Sequence, residues 1–163
     1  MDKLYQIFDE LGITDYEVHE HPAIYTIAEG DDKGLHFPGL NLKNLLLKDK
    51  KDGEYYLIIL DGHKKLDRKK LGEITGWSNK IRFANEEELF ECLNLMPGSV
   101  SPFGIINDTG RHVTIVLGNE IHRAPEDELM NFHPNRNTAT LSISKRDFLH
   151  FLHARGVRVI FEV

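Results

Sequence analysis

Three observations on this sequence predict an α+β fold. About seven short runs of strand character are interspersed with about five segments of helical period. Several of the strand runs are joined by tight turns, which makes the sheet largely antiparallel or mixed. No linker, internal repeat or low-complexity tract interrupts the 163 residues. The expectation is one domain over 1–163, built on a strongly curved, mixed β-sheet flanked by helices.

Leu4, Ile7, Phe8 and Leu11 stand at helical spacing, and Gly12 is a natural stop. Tyr16 to His21 reads as a short strand. Thr26 and Glu29 have capping-box spacing, so a short helix is expected after Thr26. Gly30 to Gly39, with two acids, three glycines and a proline, reads as a loop of the kind that borders sites. Leu42–Lys48 is an apolar strand interrupted by Lys43 and Asn44. A hairpin turn at Lys51-Asp52-Gly53 leads to Tyr55–Leu60, a dense apolar run suited to a central strand.

Asp67 caps a helix that reaches Thr75 and stops at Gly76. Ile81–Ala84 is a strand, and Asn85 with Glu88 opens a helix whose inner face is Leu89, Phe90 and Leu93. Ile105–Ile106 and His112–Leu117 are expected strands on either side of the turn Asn107-Asp108-Thr109-Gly110. Pro125–Leu129 reads as one helical turn, with Met130–His133 and Thr138–Ile143 extended around Pro134-Asn135-Arg136-Asn137. Ser144 with Asp147 caps the last helix, whose apolar face is Phe148, Phe151 and Leu152. Gly156 ends it, and Val157–Val163 is a final strand.

Composition narrows the functional classes. No apolar run approaches the ~20 residues of a membrane span. The start of the chain lacks a charged-then-apolar signal pattern. A single cysteine, Cys92, excludes an internal disulfide and suits the cytoplasm. The net charge of −6 argues against a broad grip on nucleic acid, and no helix carries a basic face for reading DNA. Lysines nevertheless cluster at Lys48, Lys50 and Lys51 and again at Lys64, Lys65, Lys69 and Lys70. Such a cluster is either a solvated face or a local patch for the end of a nucleic acid.

Four places carry chemistry-bearing residues. Gly98-Ser99-Val100-Ser101-Pro102-Phe103-Gly104 cannot continue a helix or pair in a sheet interior, and such a loop can aim main-chain N–H groups at a carboxylate, phosphate or oxyanion. Lys43 shares a strand face with Leu45 and Leu47, so it either snorkels out at an edge or points into a cavity. His133, held extended by Pro134, suits a positioned acid, base or donor. His19 and His21 share a strand face, but no third ligand stands at metal spacing. His150 and His153 read as surface residues and Cys92 as core.

Lys43-Asn44-Leu-Leu-Leu-Lys-Asp, Gly98-Ser-Val-Ser-Pro-Phe-Gly-Ile-Ile-Asn-Asp and Asn131-Phe-His-Pro-Asn-Arg-Asn-Thr-Ala-Thr, in this order, closely resemble the prolyl-tRNA editing family. That family is related to the YbaK deacylases and to the editing insertion of bacterial prolyl-tRNA synthetases. The match is closest to its free-standing alanyl-tRNA(Pro) deacylases, the ProX/PrdX branch. The resemblance, from about His21 to Gly156, implies a curved sheet flanked by helices. It also implies a trans-acting hydrolase that proofreads mischarged tRNA(Pro) without metal or cofactor.

By the same resemblance, Lys43 lies in the catalytic pocket and helps bind the terminal adenosine, with Asn44 beside it. Gly98, Ser99 and Pro102 frame the amides that face the aminoacyl carbonyl, and His133 lines the aminoacyl pocket. Phe103, Gly104, Asn131, Asn137 and Thr138 are expected to contact the substrate. Lys48, Lys50, Lys64, Lys65 and Lys69 are expected on the tRNA acceptor end, and prolyl-tRNA synthetase is a candidate partner. The alternatives are a cysteinyl-tRNA(Pro) deacylase of the YbaK type and a non-catalytic aminoacyl-tRNA-binding module.

Overall fold

A computed structural model describes residues 2–23, 37–108, 110 and 113–162. The expected capping box at Thr26 and Glu29 and most of the expected Gly30–Gly39 loop lie outside them. The described elements run α1 (Asp2–Glu10), β1 (Tyr16–Glu20), β2 (Leu40–Asp49), β3 (Tyr55–Asp61), α2 (Arg68–Thr75), β4 (Ile81–Phe83) and α3 (Glu86–Leu93). A 3-10 helix (Pro102–Asn107), β5 (Val113–Leu117), α4 (Asn119–Arg123), β6 (Leu129–Phe132), β7 (Ala139–Ser144), α5 (Lys145–Ala154) and β8 (Arg158–Phe161) complete them.

Among the described residues the strands form one open sheet in the order β1-β7-β6-β2-β3-β5-β8, with β4 also paired to β2. Four pairings are antiparallel and three parallel, so the sheet is mixed. The β2–β3 hairpin turns at Lys51-Asp52-Gly53, where Gly53 takes φ +77°. Asp49 fixes that hairpin from a buried position, accepting from the N–H of Lys51 and from the N–H and hydroxyl of Ser78.

Local signals set the helix ends. The Asp67 carboxylate accepts from the Lys70 N–H, and Gly76 closes α2 at φ +75°. Asn85 and Glu88 exchange both bonds of a capping box on α3, and the Ser144 hydroxyl accepts from the Asp147 N–H on α5. On α3 the inner face is Leu89, Cys92 and Leu93. Phe90, expected inside, is 54% exposed, because one residue beyond Leu89 lies about 100° round the helix.

Two other expectations fail. Ile105 and Ile106 belong to the 3-10 helix, not a strand. Ser101 caps that helix, Pro102 presets its first turn, and both isoleucines are buried at helical positions. Pro125–Leu129 is not a helical turn: the Glu128 N–H bonds the Pro125 carbonyl and β6 begins at Leu129. The helical turn comes earlier, as α4, ended by Ala124, which Pro125 holds extended.

Two cores lie on the two faces of the sheet. The larger packs α1, α3, α5 and the 3-10 helix on one face, with Phe103 in edge contact with Phe8, Phe132, Phe148 and Phe151. The smaller, on the other face, packs Leu71 of α2 with Trp77 against Leu47, Tyr56, Ile58 and Leu60. The β1–β7–β6 part of that second face is polar.

Candidate active site

Strand register decides which residues meet. β2 and β6 pair in parallel only at Leu40–Met130 and Asn41–Asn131. Leu40 and Met130 face the large core, so alternation turns Asn41, Lys43, Asn131 and His133 to the opposite face. Two residues beyond the last pairing, Lys43 and His133 stand at the same level on diverging strands. β4 joins the same edge of β2 from Leu47, and Ala84 N–H bonds the Leu46 carbonyl. Between these contacts, Leu42 to Leu45 have no strand partner on that edge among the described residues.

The glycine-rich loop packs its far end into the large core that lines one face of β2 and β6. It follows α3 in sequence and ends at Phe103, whose ring centroid is 5.4 Å from that of Phe132 on β6. Pro97 and Gly98 (φ +84°) form a turn of type II pattern closed by the Ser99 N–H on the Met96 carbonyl. Ser101 is fully buried, its hydroxyl accepting from the Phe103 N–H and its carbonyl from that of Gly104. The loop amides of Gly98, Val100 and Ser101 have no acceptor among the described residues. Asn44, at the opening, has a buried Oδ1 with no hydrogen-bond partner.

Several sequence-derived candidates have structural engagements. Phe103 is at the centre of the large core. Gly104 is a packing glycine: a Cβ there would lie 2.7 Å from Leu95 Cδ1. Asn131 is buried, donating to the carbonyls of Pro38 and Leu40 and accepting from Ser142. Asn137 is half-buried, and exposed Thr138 accepts from Arg136, which also forks onto Glu20 at 2.7 and 2.6 Å. Lys48 pairs with Glu88 at 3.1 Å and Lys64 with Glu120 at 3.0 Å and buried Glu162 at 3.2 Å. Lys50, Lys65 and Lys69 are exposed. Lys69 lines an open cleft of ≈ 420 Å³ with Arg68, Gly72, Trp77 and Ser78.

The polar face adds Thr140 and Ser142, which sequence reasoning did not single out, and gives His19 and His21 their partners. His21 meets Thr140 at 2.8 Å, Nε2 to Oγ1, across 119 positions of sequence. His19 stacks on Phe37 at 4.7 Å between centroids. Period-two hydroxyls at Thr140 and Ser142 marked the polar side of β7, but only sheet order sets β1 and β6 on its two flanks. His133 donates from Nδ1 to the Ala139 carbonyl at 3.1 Å. Burial pushes its imidazole below the usual range; the Ala139 bond opposes that and the charge of nearby His21 adds to it. No group of three metal-ligating side chains occurs among the described residues. Buried Cys92 has its thiol pushed up to about 12 by burial, which makes it a poor nucleophile.

Residues 21–151, the span that holds the opening, the glycine-rich loop and both Lys43 and His133, match the model of the aminoacyl-tRNA editing domain. The chain belongs to that family. The chain is 37% identical over 149 residues to the prolyl-tRNA editing protein ProX of Acetoanaerobium sticklandii, covering 91% of this chain and 87% of that protein. It is 36% identical over 141 residues to the prolyl-tRNA synthetase associated domain-containing protein 1 of Mus musculus, covering 86% and 82% of the two chains. A crystal structure of a proposed trans-editing enzyme for prolyl-tRNA synthetase superposes with a TM-score of 0.72 at 21% identity, over 97% of this chain and 92% of that one. That likeness carries the fold: an open, mixed sheet flanked by helices. Among the described residues no helix of this editing domain is long and apolar enough to cross a membrane.

Proposed function

We propose that this protein is a trans-acting deacylase that hydrolyses the aminoacyl ester of mischarged alanyl-tRNA(Pro), proofreading for prolyl-tRNA synthetase in the cytoplasm. The observation that carries the reading is that the chain belongs to the editing family over residues 21–151, and register with alternation supports it by turning Lys43 and His133 to the same face of the sheet. An aminoacyl ester is already activated, so holding it, stabilising its oxyanion and placing a water suffice. Lys43 holds the terminal nucleotide, and the free amides of Val100 and Ser101 face the developing oxyanion. Gly98, Ser99 and Pro102 shape that loop, and Asn44 offers its unpaired Oδ1 at the opening. Asn137 and Thr138 flank the aminoacyl group. Asn131, Phe103 and Gly104 act through the backbone they position.

A synthetase site for proline rejects smaller alanine by only ~1–3 kcal/mol, so a second pocket that admits a methyl group and excludes the pyrrolidine ring completes a double sieve. The test is deacylation of alanyl-, cysteinyl- and prolyl-tRNA(Pro) by the purified protein and by Lys43→Ala. Rapid loss of alanine alone, slowed at least ~100-fold in Lys43→Ala, is expected. Preferred loss of cysteine would reassign the substrate, and equal loss of proline would end the size argument.

A further inference from the structure

We infer that His133 is the general base of this site, taking a proton from the attacking water at Nε2. The inference rests on the deacylase reading above and assigns a chemical role within it.

Hydrogen bonding fixes where the imidazole proton sits. The Ala139 carbonyl can only accept, so the 3.1 Å contact places the proton of neutral His133 on Nδ1 and the lone pair on Nε2. Nε2 has no partner among the described residues. The other two imidazoles of this face among the described residues are occupied. Neutral His21 donates from Nδ1 to the Pro22 carbonyl at 2.8 Å, so its Nε2 accepts from the Thr140 hydroxyl. His19 has its Nε2 3.4 Å from the Glu17 carboxylate and its ring on Phe37.

The surroundings favour a neutral base. Register and alternation put Lys43 of β2 at the level of His133, and β1 contributes His21 and His19, with Glu17 spent on His19. β7 contributes the neutral hydroxyls of Thr140 and Ser142. Burial disfavours an imidazolium in the resting site, and any positive charge on His21 acts in the same direction.

The step balances without a further reactant. Water oxygen attacks the ester carbonyl carbon while its proton passes to Nε2. The bond from that carbon to the ribose oxygen then breaks, and the imidazolium returns the proton to the leaving oxygen. The products are the free amino acid and a tRNA with its terminal hydroxyl restored.

Two measurements test this on the intact protein. Imidazole ¹⁵N NMR at pH 7 should show His133 neutral with the proton on Nδ1; a proton on Nε2 overturns the inference. In His133→Asn the amide can still donate to Ala139 but nothing replaces Nε2. With alanyl-tRNA(Pro) this variant should lose about 10²- to 10⁴-fold in kcat with KM within about threefold, and lose the acid limb of the pH–rate profile. Wild-type kcat with the acid limb retained overturns the inference while leaving the deacylase reading intact. A wild-type protein inert on every aminoacyl-tRNA(Pro) overturns both. The tautomer measurement decides the matter alone if the variant does not fold.

Discussion

At Gly39 the approach of two backbones leaves no room for a side chain. A Cβ would sit 2.2 Å from the Leu129 carbonyl oxygen, and φ is +96°. This approach lies next to the Leu40–Met130 pairing, and Asn131 holds the same segment through the Pro38 and Leu40 carbonyls. The level at which β2 parts from β6, and so the shared level of Lys43 and His133, depends on it. Gly39→Ala must move backbone rather than a flexible side-chain end. It should cost at least about 2 kcal/mol in urea unfolding, and a fall in deacylation should accompany the loss. Unchanged stability would mean that the two strands adjust freely.

One carboxylate ties the elements around α3 together. Glu88 completes the capping box with Asn85, receives both guanidinium nitrogens of Arg82 from β4 at 2.6 and 2.8 Å, and pairs with Lys48 of β2. The Arg82 bonds hold its carboxyl down at about 2, against the burial that raises it, with the Asn85 N–H and Lys48 adding. A depressed folded value contributes stability that is present above the ordinary glutamate range near 4.5 and is lost as pH falls from there toward 2. Glu88→Gln should therefore cost about 2 kcal/mol at pH 7 and flatten the stability profile between pH 4.5 and 2. A parallel profile, merely lowered, would mean that Glu88 does not carry the acid dependence. The capping box was legible because a cap involves four consecutive residues. The apolar pair Ile105–Ile106 was misread as a strand because two residues have no period to distinguish a strand from a 3-10 turn.

Across the whole molecule, the lysines divide by what surrounds them. Lys48 and Lys64 are engaged with carboxylates of α3, α4 and the chain end, whereas Lys65 and Lys69 are exposed around α2, which covers the same face of the sheet that bears Lys43. An acceptor stem whose end enters the opening would run along α2. Lys65→Ala with Lys69→Ala should raise KM for alanyl-tRNA(Pro) several-fold and leave kcat unchanged. The salt slope of binding should fall by about one for each phosphate that the missing lysines no longer neutralise. Unchanged KM and salt slope would place the stem elsewhere. Lys64→Ala should instead act through stability, since it strips buried Glu162 of a partner at 3.2 Å.

Caps, turns, the alternating core faces and the three motif stretches could be read from the chain itself, because each depends on residues within a few positions of one another. Alternation even assigned Lys43 its side of its own strand. What no local pattern could supply was the strand order that seats β6 beside β2 and β1 beside β7, and with it the shared level of Lys43 and His133, the His21–Thr140 bond and the fate of each lysine. Those outcomes depend on how both faces of the sheet are buried by segments more than a hundred residues apart, a condition met only when the whole chain packs.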